Sequence, residues 1–166
     1  MTVQLLRADS TARWGEARRL IEEYASSLNL DLSFQNFASE MEHLPTEYGP
    51  PKGAFLLAEE SERVVGCVGL REFSENTGEI KRLYVVPAAR GGGVGRVLAE
   101  GIVALGKQLG YTRLGLDTLP AMNEAQSLYL SLGFAPMQPI DSTPCQAQLS
   151  WNCCSDNYWR VMRSVM

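Results

Sequence analysis

The sequence predicts one domain of the α+β (α/β) class, a mixed and mostly antiparallel sheet with helices on its faces. Three observations predict it. Strand-like runs follow one another between residues 53 and 86 with only short polar turns between them, the pattern of an antiparallel meander. From residue 83 to 134 the pattern changes to strand, helix, strand, helix, which calls for a crossover. The 166 residues suit one domain spanning 1–166 with a real core.

The elements follow in order. "VQLLRA" reads as a first strand. "STARWGEARRLIEEYASSL" reads as a helix: Ser10 or Thr11 caps it, and Trp14, Ala17, Ile21, Tyr24 and Leu28 recur at helical spacing. A weaker helix is predicted from Phe34 to His43, ending before Pro45, with "EYGPPKG" as a loop. The meander is "GAFLLAEE", a turn at "SER", "VVGCVGLREF", a turn at "SENTG", and "EIKRLYVV" closed by Pro87. Val94, Val97, Leu98, Ile102 and Leu105 then share a helical face, and Gly110 stops that helix. "TRLGLDTL" is a strand, and "NEAQSLYLSLGF" a short helix ended by Gly133. The segment 141–157 has no periodicity and is expected to be atypical and poorly ordered, before a last strand at "YWRVM".

Composition removes several function classes. A formal charge of -4 argues against a general nucleic-acid binder and suits, weakly, a cationic partner such as an amine. No apolar run reaches the length of a membrane span, and "MTVQLLRADS" lacks the apolar stretch of a signal peptide, so a cytoplasmic protein beginning at Met1 is expected. The four cysteines, Cys67, Cys145, Cys153 and Cys154, form no C-x-x-C pair, and His43 is the single histidine, so no metal is expected. The cysteines read as reduced thiols, with Cys67 buried in a strand.

The junction "VVPAARGGGVGRVL" carries the chemistry. A helix start leaves N–H groups pointing outward, and those donors and the helix dipole attract anions. Glycine removes the Cβ that would keep a ligand from the backbone and permits positive φ. Gly91, Gly92, Gly93, Val94 and Gly95 therefore read as a phosphate cradle, with Arg90 and Arg96 adding charge at its ends. Arg96 stands where the dinucleotide fingerprint needs a third glycine, and no Lys-Ser/Thr follows as in a P-loop. The spacing that fits is R-x-x-G-x-G over Arg90, Gly93 and Gly95.

With that signature, "EIKRLYVVPAARGGGVGRVL", the strand "RLGLDTL" and the pattern A-x-x-L-Y-x-x-x-G-F in "AQSLYLSLGF", the chain resembles the GNAT superfamily of acyl-CoA-dependent N-acyltransferases from about Val3 to Phe134. The resemblance implies a sheet splayed between its fourth and fifth strands, with acetyl-CoA as co-substrate. It places the coenzyme's diphosphate on the amides of Arg90 to Arg96 and the pantetheine arm along Leu83, Tyr84, Val85 and Val86. It makes Tyr129 the acid that protonates the leaving thiolate and Glu79 a general base, with Asp117 as the other candidate. The family's asparagine seven residues before the tyrosine is replaced by Met122, and Asn123 is carried as a weak cofactor contact. The acceptor implied is a small-molecule or protein amine, and the family often forms homodimers.

Direct attack in a ternary complex is the expected reaction. Val85, just before the break, is expected to offer its N–H to the thioester carbonyl. Lys81 and Arg82 are expected on opposite strand faces. Two other readings compete: a GNAT-shaped module that senses acyl-CoA without turnover, and a nucleotide-phosphate protein of another fold.

Overall fold

The computed structural model describes residues 2–28, 37–118 and 122–136, and the backbone alone of the strand Trp159–Ser164. Residues 34–36, the segment 141–157, and Cys145, Cys153 and Cys154 lie outside the described residues.

The strands are β1 (Gln4–Arg7), β2 (Ala54–Glu60), β3 (Arg63–Ser74), β4 (Thr77–Val85), β5 (Arg113–Thr118), β6 (Ala135–Pro136) and β7 (Trp159–Ser164). They form one sheet in the order β1-β2-β3-β4-β5-β7-β6. All neighbours are antiparallel except β4 and β5, which run parallel. The helices are α1 (Thr11–Leu28), α2 (Phe37–Glu42), α3 (Leu44–Glu47), α4 (Val94–Gln108) and α5 (Asn123–Ser131). No described helix is long and apolar enough to cross a membrane.

The meander closes on two-residue turns. Ser61 and Glu62 both have positive φ (51° and 64°), the sense that matches strand twist in tight hairpins. Asn76, at φ 65°, turns β3 into β4; asparagine tolerates that region better than most residues. The helix before Pro45 ends at Glu42, as expected, but Pro45 itself belongs to a further short helix, α3. It sits in the first turn of α3, where its missing N–H costs nothing.

Alternation along the strands divides the core. Leu56, Leu70, Ile80, Leu98, Ile102 and Leu114 pack on the α4 face. Leu20, Ile21, Phe55, Leu57, Cys67 and Tyr84 pack beneath α1, α2 and α3. Each face buries one stripe of helix against one side of the sheet, the arrangement the periodicities predict.

Candidate active site

The site begins with a break in the sheet. β4 and β5 pair only at Thr77 with Arg113, Gly78 with Leu114, and Glu79 with Gly115. Beyond Glu79, β4 runs on with β3 as far as Val85, while β5 stays with β7 through Thr118. The cause is local. Tyr84 pairs with Cys67, but Lys81 already pairs with Gly69, so β4 holds an extra residue, and Arg82 takes φ 61°. A bulge bends its strand and sharpens its twist, which carries β4 away from β5.

The bulge also shifts the alternation. Ile80 faces α4, so Glu79 and Lys81 face α1–α3; the extra residue sends Arg82 and Tyr84 to that side as well. The expectation that Lys81 and Arg82 occupy opposite faces is therefore wrong. A two-residue period cannot anticipate an inserted residue.

Past the break, the Val86 amide donates to the Val65 carbonyl on β3 at 2.9 Å. Strand alternation turns the peptide groups of Val85 toward the opened edge, where the Val85 carbonyl accepts from Arg90 Nε at 3.0 Å. The chain then makes a 3₁₀ turn at Pro87–Ala89 and enters α4 through Gly91 (φ 84°) and Gly93 (φ 82°). These angles explain two of the glycines. Gly92 and Gly95 have no such need: an added Cβ would meet only the Ala89 carbonyl at 3.7 Å, or Leu128 and Val85 at 3.8 Å. Nothing in the protein's own packing demands those two glycines, so the α4 opening offers backbone amides to an outside group with no Cβ over them.

Side chains complete the picture. Tyr129 is buried on α5, its ring edge-on to Phe134 at 5.3 Å. Burial, with a smaller contribution from Tyr24, raises its phenol above the ordinary tyrosine range, so it holds its proton at neutral pH. Glu79 is buried at the last β4–β5 pair, and Arg71 Nε donates to its Oε2 at 2.8 Å while Arg71 also binds Glu47 at 3.0 Å. Leu83 leans on the α4-side core, and Tyr84 donates to Glu23 at 2.9 Å beneath the Arg90 guanidinium. Arg96 donates to Ser131 Oγ at 2.8 Å and lies 3.5 Å from Glu100. Asn123 opens α5 in an exposed position, and Asp117 lies on β5 opposite Arg160. Burial pushes the Cys67 thiol up to about 12, so it is an inert core group. Among the described residues, no group of three or more His, Cys, Asp or Glu could hold a metal ion.

The Acetyltransferase (GNAT) family pattern matches residues 16–134, from α1 through the break to the end of α5. The chain belongs to the GNAT family. It is an acyltransferase. The chain is 37% identical over 129 residues to an uncharacterized N-acetyltransferase of Schizosaccharomyces pombe, covering 76% of this chain and 79% of that one. The fold matches an acetyltransferase of the GNAT family from Staphylococcus aureus with a TM-score of 0.77 at 18% identity, over 98% of this chain and 99% of the other. It also matches a Bacillus subtilis acetyltransferase solved in complex with CoA, with a TM-score of 0.68 at 17% identity, over 99% and 100% of the two chains.

Three features of this GNAT chain escaped sequence reasoning. Tyr24 reads as one of the apolar stripe of α1, yet it packs on Tyr84 at 5.5 Å, at the mouth of the break. Glu40, in a short helix, is buried against Arg82 with contacts of 3.1 and 2.6 Å, and Tyr48 donates to the same carboxylate. Burial alone would raise the Glu40 pKa, but the Arg82 bonds override it and lower it. Lys81 stands on the same face, half-buried and in no ion pair among the described residues. No spacing announces the Tyr24–Tyr84 and Glu40–Arg82 contacts, because each joins elements far apart in the chain.

Proposed function

We propose that the protein transfers an acetyl group from acetyl-CoA to a primary amine by direct attack in a ternary complex. The observation that carries this is the opened β4 edge running straight into an α4 opening whose glycines leave its amides bare. The amides of Gly91 to Arg96 hold the diphosphate. The peptide groups of Leu83 to Val86 pair with the pantetheine arm as an added strand would, the Arg90 side chain leaving the Val85 carbonyl as it does so. The Val85 N–H polarises the thioester carbonyl.

The amine nitrogen forms its bond to the carbonyl carbon, the carbon–sulfur bond breaks, and the electron pair leaves on sulfur. Glu79 takes the amine's proton through the carboxylate oxygen that Arg71 does not hold. Tyr129 gives its proton to the thiolate. Alignment of the two reactants lowers such a barrier by roughly 7–11 kcal/mol, whereas one acid or base contributes about 10²- to 10⁴-fold. The shape of the break therefore outweighs any single side chain.

The test is twofold. Acetyl-CoA should raise the melting temperature where ATP and NAD do not. Free CoA should then appear when a panel of primary amines is added. A thermal shift without CoA release from any amine would instead favour an acyl-CoA-binding module.

A further inference from the structure

Resting on that reading, we propose that the acceptor is an amine bearing a carboxylate, an α-amino acid or a compound with the same charge pair, and that Lys81 binds the carboxylate. Three observations support it. The charged groups on the α1–α3 face of β3 and β4 are nearly all consumed: Arg71 on β3 by Glu47 and by Glu79 of β4, and Arg82 of β4 by Glu40 in a two-point contact. Lys81 is the exception, making no hydrogen bond or ion pair among the described residues. It is also half-buried, where solvent only partly compensates an ammonium.

Second, Lys81 lies beside the proposed chemistry. Glu79 and Lys81 are neighbours on one face of one strand, roughly 6.4–6.8 Å apart along it. They present a carboxylate and then an ammonium. A zwitterionic amino acid presents the complement, its amine to Glu79 and its carboxylate to Lys81. A carboxylate-free amine would satisfy only the first.

Third, the environment of Lys81 favours an anion. Burial, and then the two neighbouring arginines, work against its charge, while Glu79 and Glu40 offset them only in part, leaving its pKa at about 8. An incoming carboxylate would raise that pKa again and offset the cost of an unpaired half-buried cation.

The experiment measures kcat and KM for matched pairs of acceptors, L-phenylalanine with 2-phenylethylamine and L-methionine with 3-(methylthio)propylamine. Wild type, Lys81→Met and Lys81→Arg are compared. Wild type should prefer the amino acid of each pair by about tenfold or more in kcat/KM. Lys81→Met should erase that preference, mainly through a higher KM for the amino acid, and Lys81→Arg should keep most of it. Equal use of both members by wild type would overturn the assignment. So would a Lys81→Met variant that loses kcat equally on both, since that marks a base and not an anchor. CoA release from none of the acceptors would defeat the acyl-transfer reading itself, and this one with it.

Discussion

Tyr129 keeps its proton because α5 buries the ring against Phe134, away from the water that would stabilise a phenolate. If that proton goes to the thiolate, Tyr129→Phe should lower kcat about 10²-fold and leave the KM for acetyl-CoA within about twofold; steady-state CoA release measures both. Lys81 makes a second prediction at this scale. Its pKa is depressed to about 8, so between pH 8 and the ordinary lysine range the unfolded chain binds more protons than the native one. Stability contributed by the neutral form therefore grows as pH rises through that window, and below pH 8 the native state bears the cost of the charge. Lys81→Met should be stabilising at pH 7, on the order of 1–2 kcal/mol, and the gain should shrink toward zero by about pH 10.5 in denaturant titrations. The two residues differ in legibility. Tyr129 was readable because it lies in a local pattern with Gly133 and Phe134. The isolation of Lys81 was not, because it follows from which distant carboxylates Arg71 and Arg82 had already engaged.

Among the elements, α2 and β4 are locked together by one buried ion pair. Arg82 can hold φ 61° because Glu40 grips its guanidinium and Phe37 lies under it at 5.5 Å. Removing one partner strands the other in a dry place. Glu40→Ala or Arg82→Ala should cost about 3–5 kcal/mol, and a hydrophobic double replacement clearly less than the sum. Glu40 has a folded pKa below its unfolded one, so its contribution is present above about pH 4.5 and is lost as pH falls through the lower, folded value. Urea melts from pH 7 down to 3 would show wild type losing stability that Glu40→Ala no longer has to lose. The α4 opening gives a complementary case. Gly92 has ordinary φ and only an ordinary 3.7 Å contact at an added Cβ, so Gly92→Asp should fold with unchanged or slightly higher stability, since an acid near a helix start is favourable. The same charge beside a diphosphate should weaken acetyl-CoA binding by about tenfold or more in a calorimetric titration. The meander, α1, α4 and the glycine junction were legible because period, caps and turn residues are local signals. The bulge at Arg82 was hidden, as no glycine marks it. So was α3, a four-residue helix that takes Pro45 into its first turn after α2 has ended before it.

Across the molecule, one displacement organises the rest. A sheet that pairs continuously on both sides of β4 would have no place for a ligand. An extra residue in β4 directs the strand away from β5, and β7 keeps β5 from following. Hydrophobic layers pack both faces of the sheet against helices, so the opening is a feature of the packed fold rather than of a loop. That a break exists between the fourth and fifth strands was implied by the family resemblance alone; no run of residues between 77 and 118 states it. On the proposed reading, main-chain donors of β4 past the break and of the α4 opening that follows it take the coenzyme. Amide ¹H–¹⁵N spectra recorded during titration with acetyl-CoA test it most directly. The largest shifts should fall on the amides of 83–86 and 91–96, with those of β1 and β2 nearly still. Saturating acetyl-CoA that leaves these amides unmoved, or that moves a different part of the chain, would contradict it.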